Sequence, residues 1–328
     1  MTIADHSMGI EPCDTLFLVN PNANEGKARK IWEKLSQKIY TGAPGLNEMH
    51  TIRCVVTQSS EEAISTCRDA VNTGVKKVIA VGGDGTIHTV IHGLISNGDL
   101  TNPEIEFGIM PLGNCNDFSL NLNLKTKSLS EALEQLASGP TKPVDIGRVT
   151  YTRSNGDLGD EFFLNMVSIG LSAEVANELN TKKKKFTTFN YLKSLKKVWK
   201  DYHPPEILFN FDQGATEQFQ CSVKTAVIAN GCFSCDGWKL APDALLDDRL
   251  FDITVIEKMK LNDILTLKGK TKKGSFVHNE GVTTLTANKI RVSSPDQRNL
   301  TVEINGYTPG SLPATFEFLP NQLKVITG

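Results

Sequence analysis

The sequence lacks any run of about eighteen apolar residues, so no membrane-spanning helix is expected. It lacks the basic stretch followed by an apolar stretch that marks a secretory signal, and "MTIADHSMGIEPCD" reads as a flexible tail over 1–14. It lacks a strong charge of either sign. Lys and Arg number 35 against 37 Asp and Glu, a formal net charge of -2, so no nucleic-acid partner is expected. Internal repeats and low-complexity linkers are absent. The seven cysteines are an odd number in a chain without a signal, which points to free thiols in a reducing, cytoplasmic setting. "CFSC" at Cys232–Cys235 has no second CxxC and no nearby His to complete a metal tetrad, so it reads as two small residues in a loop.

What is present suits two domains with their own cores: 328 residues, 39% hydrophobic and 22% charged. The first part alternates strand and helix. "TLFLV" (15–19), "TIRCVV" (51–56), "KVIAV" (77–81) and "EFGIM" (106–110) are β-branched apolar runs. Between them, Ala28, Ile31, Trp32, Leu35 and Ile39 share one helical face, and Ile87, Val90, Ile91, Leu94 and Ile95 share another. Ser59 and Glu62 form a capping-box pattern before a third helix. Such alternation predicts a parallel sheet flanked by helices. After "SGPTKPVD" (138–145) the pattern changes to short alternating segments, from "GRVTY" to "ATFEFLP", which predict a mostly antiparallel second domain. Residues 181–200 interrupt it with a basic helical stretch.

Three turns of the first domain fall at the carboxyl ends of its predicted strands, the edge where open α/β sheets bind ligands. They are "NPNANEGKA" (20–28), "GGDGT" (82–86) and "PLGNCND" (111–117). Glycines let a backbone approach a phosphate closely, and a helix starting near Thr86 would offer unpaired N–H groups and a positive dipole end. Asp84 is the odd residue there. A divalent cation could offset its charge, it could face an acceptor hydroxyl, or it could serve as a helix cap. "HTVIH" places His88 and His92 at the spacing of a zinc-hydrolase helix. Thr89 stands where the general-base Glu would be and no third ligand is signalled, so a solvated helix face is the reading.

Taken together these segments resemble the catalytic domain shared by diacylglycerol kinases, sphingosine kinases, ceramide kinases and bacterial lipid kinases. "NPNANEGKA" is similar to that family's N-P-x-[SA]-G-x-G-K, "GGDGTIHTVIHGL" to G-G-D-G-T-x-N-E-V-x-N-G-L, and "PLGNCNDFSLNL" to P-x-G-T-x-N-D-F-A-R-x-L. "VDIGRV" and "FLNMVSIGLSAEV" resemble the opening of its second domain, and "APDALLDDRLFDITVIEK" its A-P-x-A-x-x-D-D-G-x-L-D-V. GGDGT alone is shared with NAD kinases; the ordered set is what carries the likeness. The resemblance implies an N-terminal open parallel α/β domain of the NAD kinase-like kind over 15–142, with 312–328 returning to it. A second, mostly antiparallel β-sandwich domain for lipid would occupy 143–311. It also implies an active site in the cleft between the domains and transfer of the ATP γ-phosphate to a lipid hydroxyl with Mg²⁺.

Under that resemblance Asn20, Asn24, Gly26, Gly82, Gly83, Gly85 and Thr86 would line the nucleotide phosphates, with Lys27 neutralising charge. Asn116 and Asp117 would hold the loop after the fourth strand beside the nucleotide. Asp84 would orient or deprotonate the acceptor. Asp248 and Asp252 would take a structural cation. The chain departs from the pattern at several places. Thr89 replaces the family's Glu, Asn114 stands where a Thr is usual, and Arg249 replaces the Gly of D-D-G. The D-G-E that ends a late strand is Asn305-Gly306-Tyr307, and an amide cannot accept a proton as a carboxylate does. A lipid- or nucleotide-binding relative without transfer is therefore an alternative. An NAD kinase-like enzyme on a soluble substrate is another, against which the basic segment counts. "TKKKKFTTFNYLKSLKKVWK" carries eight lysines, no acid and several aromatics, which suits peripheral contact with an anionic membrane through 181–200.

Overall fold

The computed structural model describes residues 13–41, 51–124, 128–184, 187–212, 217–234, 237–258 and 273–328. The 1–14 tail therefore lies almost wholly outside the described residues, as do Cys235 of CxxC and Lys185 and Phe186 of the basic segment. Two compact units are present, one of 1–144 with 319–328 and the other Asp145–Phe318.

In the first unit the elements run β1 (Thr15–Val19), α1 (Lys27–Tyr40), β2 (Ile52–Val56), α2 (Ser60–Asn72), β3 (Lys77–Gly82), α3 (Asp84–Leu94), β4 (Glu106–Pro111), α4 (Asp117–Asn121), α5 (Leu129–Ser138) and β5 (Thr141–Val144). The second unit carries β6 (Gly147–Thr152), β7 (Leu158–Phe163), β8 (Met166–Gly170), α6 (Leu171–Thr181), α7 (Thr188–Asp201), β9 (Glu206–Phe211), β10 (Gln218–Ser222) and β11 (Thr225–Ala229). It continues with β12 (Phe251–Ile256), β13 (Val282–Ala287), β14 (Lys289–Ser293), β15 (Thr301–Ile304) and β16 (Tyr307–Phe318). Strand β17 (Leu323–Ile326) belongs to the first unit again. The return begins at Leu319, later than 312, because β16 stays paired with β14 and β15 along its length.

The first sheet has the order β2-β1-β3-β4-β17-β5. All neighbours in it are parallel except β17 and β5. Strands β1 and β3 are buried along nearly their whole length, as expected of parallel strands covered on both faces. The strand order reverses at β1 and β3, which makes their carboxyl ends a topological switch point. Helix α2 shows the expected capping: Ser59 Oγ accepts the Glu62 N–H at 3.2 Å, while the Glu62 carboxylate takes the Gln58 N–H at 2.6 Å.

The second unit is built on an antiparallel sheet of eleven strands among the described residues, in the order β10-β9-β14-β16-β15-β8-β11-β12-β13, with β6 on β16 and β7 on β6; a separate two-stranded sheet pairs Phe233–Ser234 with Trp238–Lys239. Its core includes Val167, Ile169, Phe209, Phe251, Ile290, Val302, Ile304 and Phe316. The basic stretch is helical from Thr188 onward, since α6 ends at Thr181. Lys183 adopts φ +49 after α6, and α7 starts anew with Thr187 Oγ1 capping the Asn190 N–H at 3.2 Å.

Candidate functional site

The loop after β1 reaches directly to the loop after β3. Asn20 N–H bonds Val81 O at 3.0 Å, and Asn20 Nδ2 donates to Thr86 Oγ1 at 3.1 Å. Asn24 (φ 50), Glu25 (φ 59) and Gly26 (φ 82) are all left-handed, and Lys27 then opens α1 as an exposed residue. A left-handed residue followed by a right-handed one turns successive N–H groups to one side, a concavity suited to an anion. Asn24 stands where the motif has its first Gly, and asparagine is among the residues that tolerate this conformation.

Helix α3 begins at Asp84, two residues before Thr86, with Gly83 as its cap. Neither α1 nor α3 has a side-chain cap, whereas Ser59, Ser128 and Thr187 cap α2, α5 and α7. The two helix N-termini at the switch point thus leave their first N–H groups without side-chain acceptors. Thr86 is nearly buried and Gly85 is exposed at this opening.

The Asp84 carboxylate is engaged elsewhere than at its own helix. Its Oδ2 accepts the Asp117 N–H at 3.1 Å and its Oδ1 the Phe118 N–H at 3.0 Å. These are the first amides of α4, so their positive dipole end offsets the charge that looked out of place in a phosphate loop. Asn116, itself left-handed, braces the same loop: its Oδ1 accepts the Gly113 N–H at 2.8 Å and its Nδ2 donates to Gly113 O at 3.0 Å. A Cβ built on Gly83 would lie 2.9 Å from the Gly113 Cα, so the loops after β3 and β4 touch at two glycines. The rings of His88 and His92 lie 4.5 Å apart, and His92 Nδ1 stands 2.9 Å from His88 O of its own helix.

Two family models match this chain: the diacylglycerol kinase catalytic domain over residues 14–149, and the YegS C-terminal NAD kinase beta sandwich-like domain over 165–327. The two matches together span most of the chain, and the likeness is to the diacylglycerol kinase family. A diacylglycerol kinase of Bacillus subtilis (strain 168) is 26% identical over 312 residues, 94% of this chain and 95% of that protein. The crystal structure of a diacylglycerol kinase from Bacillus anthracis str. Sterne aligns with a TM-score of 0.67 at 21% identity, covering 96% of this chain and 97% of that one. Yeast NADH kinase complexed with NADH aligns with a TM-score of 0.53 at 10% identity, over 97% of this chain and 84% of that one. These two likenesses bear on the fold, an N-terminal parallel α/β sheet followed by an antiparallel β-rich unit.

In the second unit, Arg249 holds φ +60 at the position where the family pattern has Gly. Its Nε stands 3.0 Å from Asp145 Oδ1, and its N–H bonds Asp145 Oδ2 at 2.8 Å, with the Asp145 side chain 1% exposed. Asp248 Oδ1 accepts the Leu250 N–H at 3.0 Å. Burial, then the Asp248 and Asp243 carboxylates, push Asp252 up to about 6. Among the described residues these three acids do not gather within three-ligand spacing.

Asn305 (φ 50) and Gly306 (φ 82) are the two-residue turn of the β15–β16 hairpin, and Ile304 pairs with Tyr307 across it. Two left-handed residues define the turn type that favours Asn-Gly. Tyr307 is 54% exposed. The acid that sequence reasoning missed is Glu303, whose carboxylate accepts the Ser168 hydroxyl and the Gly306 N–H. The alternation in "LTVEIN" marks Glu303 as facing away from the core, but nothing in it shows that the face is shared with Ser168.

Helix α7 spends its apolar face inside the unit. Leu195 is buried, and Tyr191, Leu192, Val198 and Trp199 pack with Leu171, Val175 and Leu179 of α6. Lys182 and Lys197 both pair with Glu178. What remains outside is Phe189, 75% exposed, and Lys193, Lys196 and Lys200, which lie within roughly 60° of one another around the helix.

Proposed function

We propose that this protein is an ATP-dependent lipid kinase that transfers the γ-phosphate to a lipid hydroxyl. The observation that carries the reading is the cradle at the switch point: the bond from Asn20 to Thr86, the left-handed run Asn24–Gly26, and the N-termini of α1 and α3 without side-chain caps. In this reading Asn20, Asn24, Gly26, Gly82, Gly83, Gly85 and Thr86 surround the phosphates, and Lys27 adds a positive charge beside them. Asp84, Asn116 and Asp117 hold the loop after β4 against the one after β3, which orients the site rather than supplying its base.

Magnesium would be held by Asp248 and Asp252, hard oxygen donors whose crowding a divalent cation would relieve. When bound it would neutralise local charge. Among the described residues no third carboxylate stands with them at ligand spacing, so the ion would retain waters.

The lipid would be met at a bilayer surface by the outer stripe of α7. Phe189 would enter the interface while Lys193, Lys196 and Lys200 face anionic headgroups, each lysine contributing about 1 kcal/mol near such a surface. Lys182 and Lys197, already paired, would contribute little. A cavity of about 480 Å³ in the second unit, with Val198, Tyr202, Pro205 and Leu300 on its apolar side and Glu174, Lys197, Asp201 and His203 on its polar side, offers room for part of the acceptor.

A second reading, a binding protein without transfer, is favoured by Asn305 in the turn where the family carries an acid. A radiolabelled ATP assay against diacylglycerol, monoacylglycerol, ceramide and sphingosine in anionic vesicles separates the two. Transfer to any acceptor supports the kinase. ATP binding without transfer to any of them supports the binder.

A further inference from the structure

Helix α1 has a charge that the rest of the chain does not lead one to expect. Lys27, Arg29, Lys30, Lys34 and Lys38 stand on it against one acid, Glu33, in a chain whose net charge is -2. Lys27, Arg29 and Lys30 lie in the first turn, where the helix dipole disfavours positive charge. The other helices of the first unit place acids in that turn: Glu61 and Glu62 in α2, Asp84 in α3, Asp117 in α4 and Glu131 in α5. The cations of α1 therefore work against its stability, and an anionic partner would relieve them.

Their arrangement is one-sided. Ala28, Trp32, Leu35 and Ile39 fix the buried face of α1. Lys27, Lys30 and Lys34 fall within roughly 60° of one another on one flank of it. All three are exposed, and no acid pairs with them among the described residues. Lys38 continues the line but is tied, its Nζ donating to Ser130 Oγ of α5 at 2.9 Å. Glu33 lies toward the other flank, one turn from Arg29, whose charge offsets it. The stripe starts at the loop after β1, because Lys27 opens the helix directly after left-handed Gly26. Lys30 follows about 4.5 Å along the axis and Lys34 about 10 Å. Charges at that spacing lie within about one Debye length of each other in physiological salt, so they act as one positive field that ends at the loop.

Resting on the nucleotide site proposed above, we propose that this flank of α1 is a capture surface for the polyphosphate of a nucleotide in solution. Lys30 and Lys34 draw the anion toward the Asn24–Lys27 turn and do not touch it once it is bound. They act on the rate of arrival, while contacts in the cradle set the rate of departure. The stripe suits a soluble anion better than a bilayer. It is continuous with the phosphate cradle, and it holds no large exposed apolar side chain to enter a membrane, Tyr40 lying on the other flank.

The test is stopped-flow binding of a fluorescent ATP analogue to the full chain, from low salt to about 0.5 M, where exposed charges are screened. Lys30→Gln with Lys34→Gln is compared with wild type and with a charge-matched pair, Lys76→Gln with Lys142→Gln. Lys76 precedes β3, and Lys142 faces Val325, which pairs with Phe107 and through it with Val78. Both control lysines thus lie toward the amino ends of the strands, away from the cradle. We expect the stripe variant to slow association about three- to tenfold at low salt and by less than about twofold at high salt. Its dissociation rate should match wild type, and its melting temperature should not fall. The control pair should associate as wild type does. If the double variant does not fold, Lys34→Gln alone carries the same expectation. Equal slowing by the control pair would mean that net charge alone acts, and overturns the inference. Faster dissociation with unchanged association puts the lysines against the bound nucleotide and overturns it too. Unchanged nucleotide kinetics with lost sedimentation on anionic vesicles assigns the stripe to a bilayer, with the same result. In these three cases wild type still binds and the nucleotide site stands. A wild type that binds no nucleotide overturns that site, and this inference with it.

Discussion

Gly83 and Gly113 meet so closely that a Cβ on Gly113 would lie 2.4 Å from the Gly83 Cα. A side chain at either position must move the loop after β3 or the loop after β4, whatever ligand is bound. Gly83→Val is therefore a poor probe of phosphate approach. Gly85 is exposed, a methyl group added to it would meet nothing within 4 Å, and its φ is not left-handed. We predict that Gly85→Ala leaves the melting temperature almost unchanged while weakening ATP binding in calorimetry. Gly83→Val should lose stability and binding together. Unaltered affinity in Gly85→Ala would remove the start of α3 from the nucleotide site.

Asp84 acts as a cap for α4, so Asp84→Asn should register in the fold as well as in turnover. The amide offers one oxygen where two amide protons were received. Loss of a helix cap costs about 1 kcal/mol, and denaturant titration should show that much. Asp84→Ala, which removes both acceptors, should cost more. A stability identical to wild type in both variants would contradict the bracing role.

Asp252 is raised to about 6 from the unfolded 3.8. A group raised on folding favours the fold while protonated. Its contribution is fully present below about 3.8 and is lost as pH rises through 6. At pH 7 without divalent cations, Asp252→Asn should therefore stabilise the protein, by about 1 kcal/mol once its partial exposure is allowed for. Magnesium should raise the melting temperature of wild type more than that of the variant. Equal magnesium shifts in both would take Asp252 out of the cation site.

Glu178 runs in the opposite sense. The Lys182 and Lys197 ammonium groups hold its carboxyl down at about 2, below its ordinary 4.5. A depressed acid stabilises above its unfolded value, and that help disappears as pH falls from about 4.5 toward 2. The melting-temperature gap between wild type and Glu178→Gln should be widest near neutrality and close in that window. A gap independent of pH would mean that Glu178 acts by packing.

The α/β half of the fold is legible in the sequence because parallel strands covered on both faces appear as unbroken apolar runs, as in "KVIAV". The second half is less so. Strands β10 and β13, "QFQCS" and "VTTLTA", are edges whose apolar alternation is short and weak, only Phe219 and Cys221 in one and Leu285 and Ala287 in the other. The three glycine loops were legible as loops, but their partners were not. That Asp84 reaches α4 depends on where β4 ends beside β3, a matter of register across separated segments. Departures from the family pattern were legible as losses and are in part substitutions. Asn24 and Arg249 keep the left-handed backbone that glycine would have supplied, and Arg249 adds an ion pair to Asp145. Glu303 escaped notice because a charged residue on the outer side of a strand usually faces water.

Strand β17 sits between β4 and β5, pairing with the first in parallel and the second antiparallel. A ribosome releases β4 and β5 long before β17, with the whole of Asp145–Phe318 made in between. Chains emerge at roughly 5–20 residues per second, so the first sheet waits on the order of ten seconds without the strand that joins β5 to β4. The half of the molecule that begins first is completed last. During that interval the second unit can fold as a self-contained insert. The nascent first unit meanwhile exposes open strand edges at β4 and β5, the stage of its synthesis at which protection by chaperones matters most.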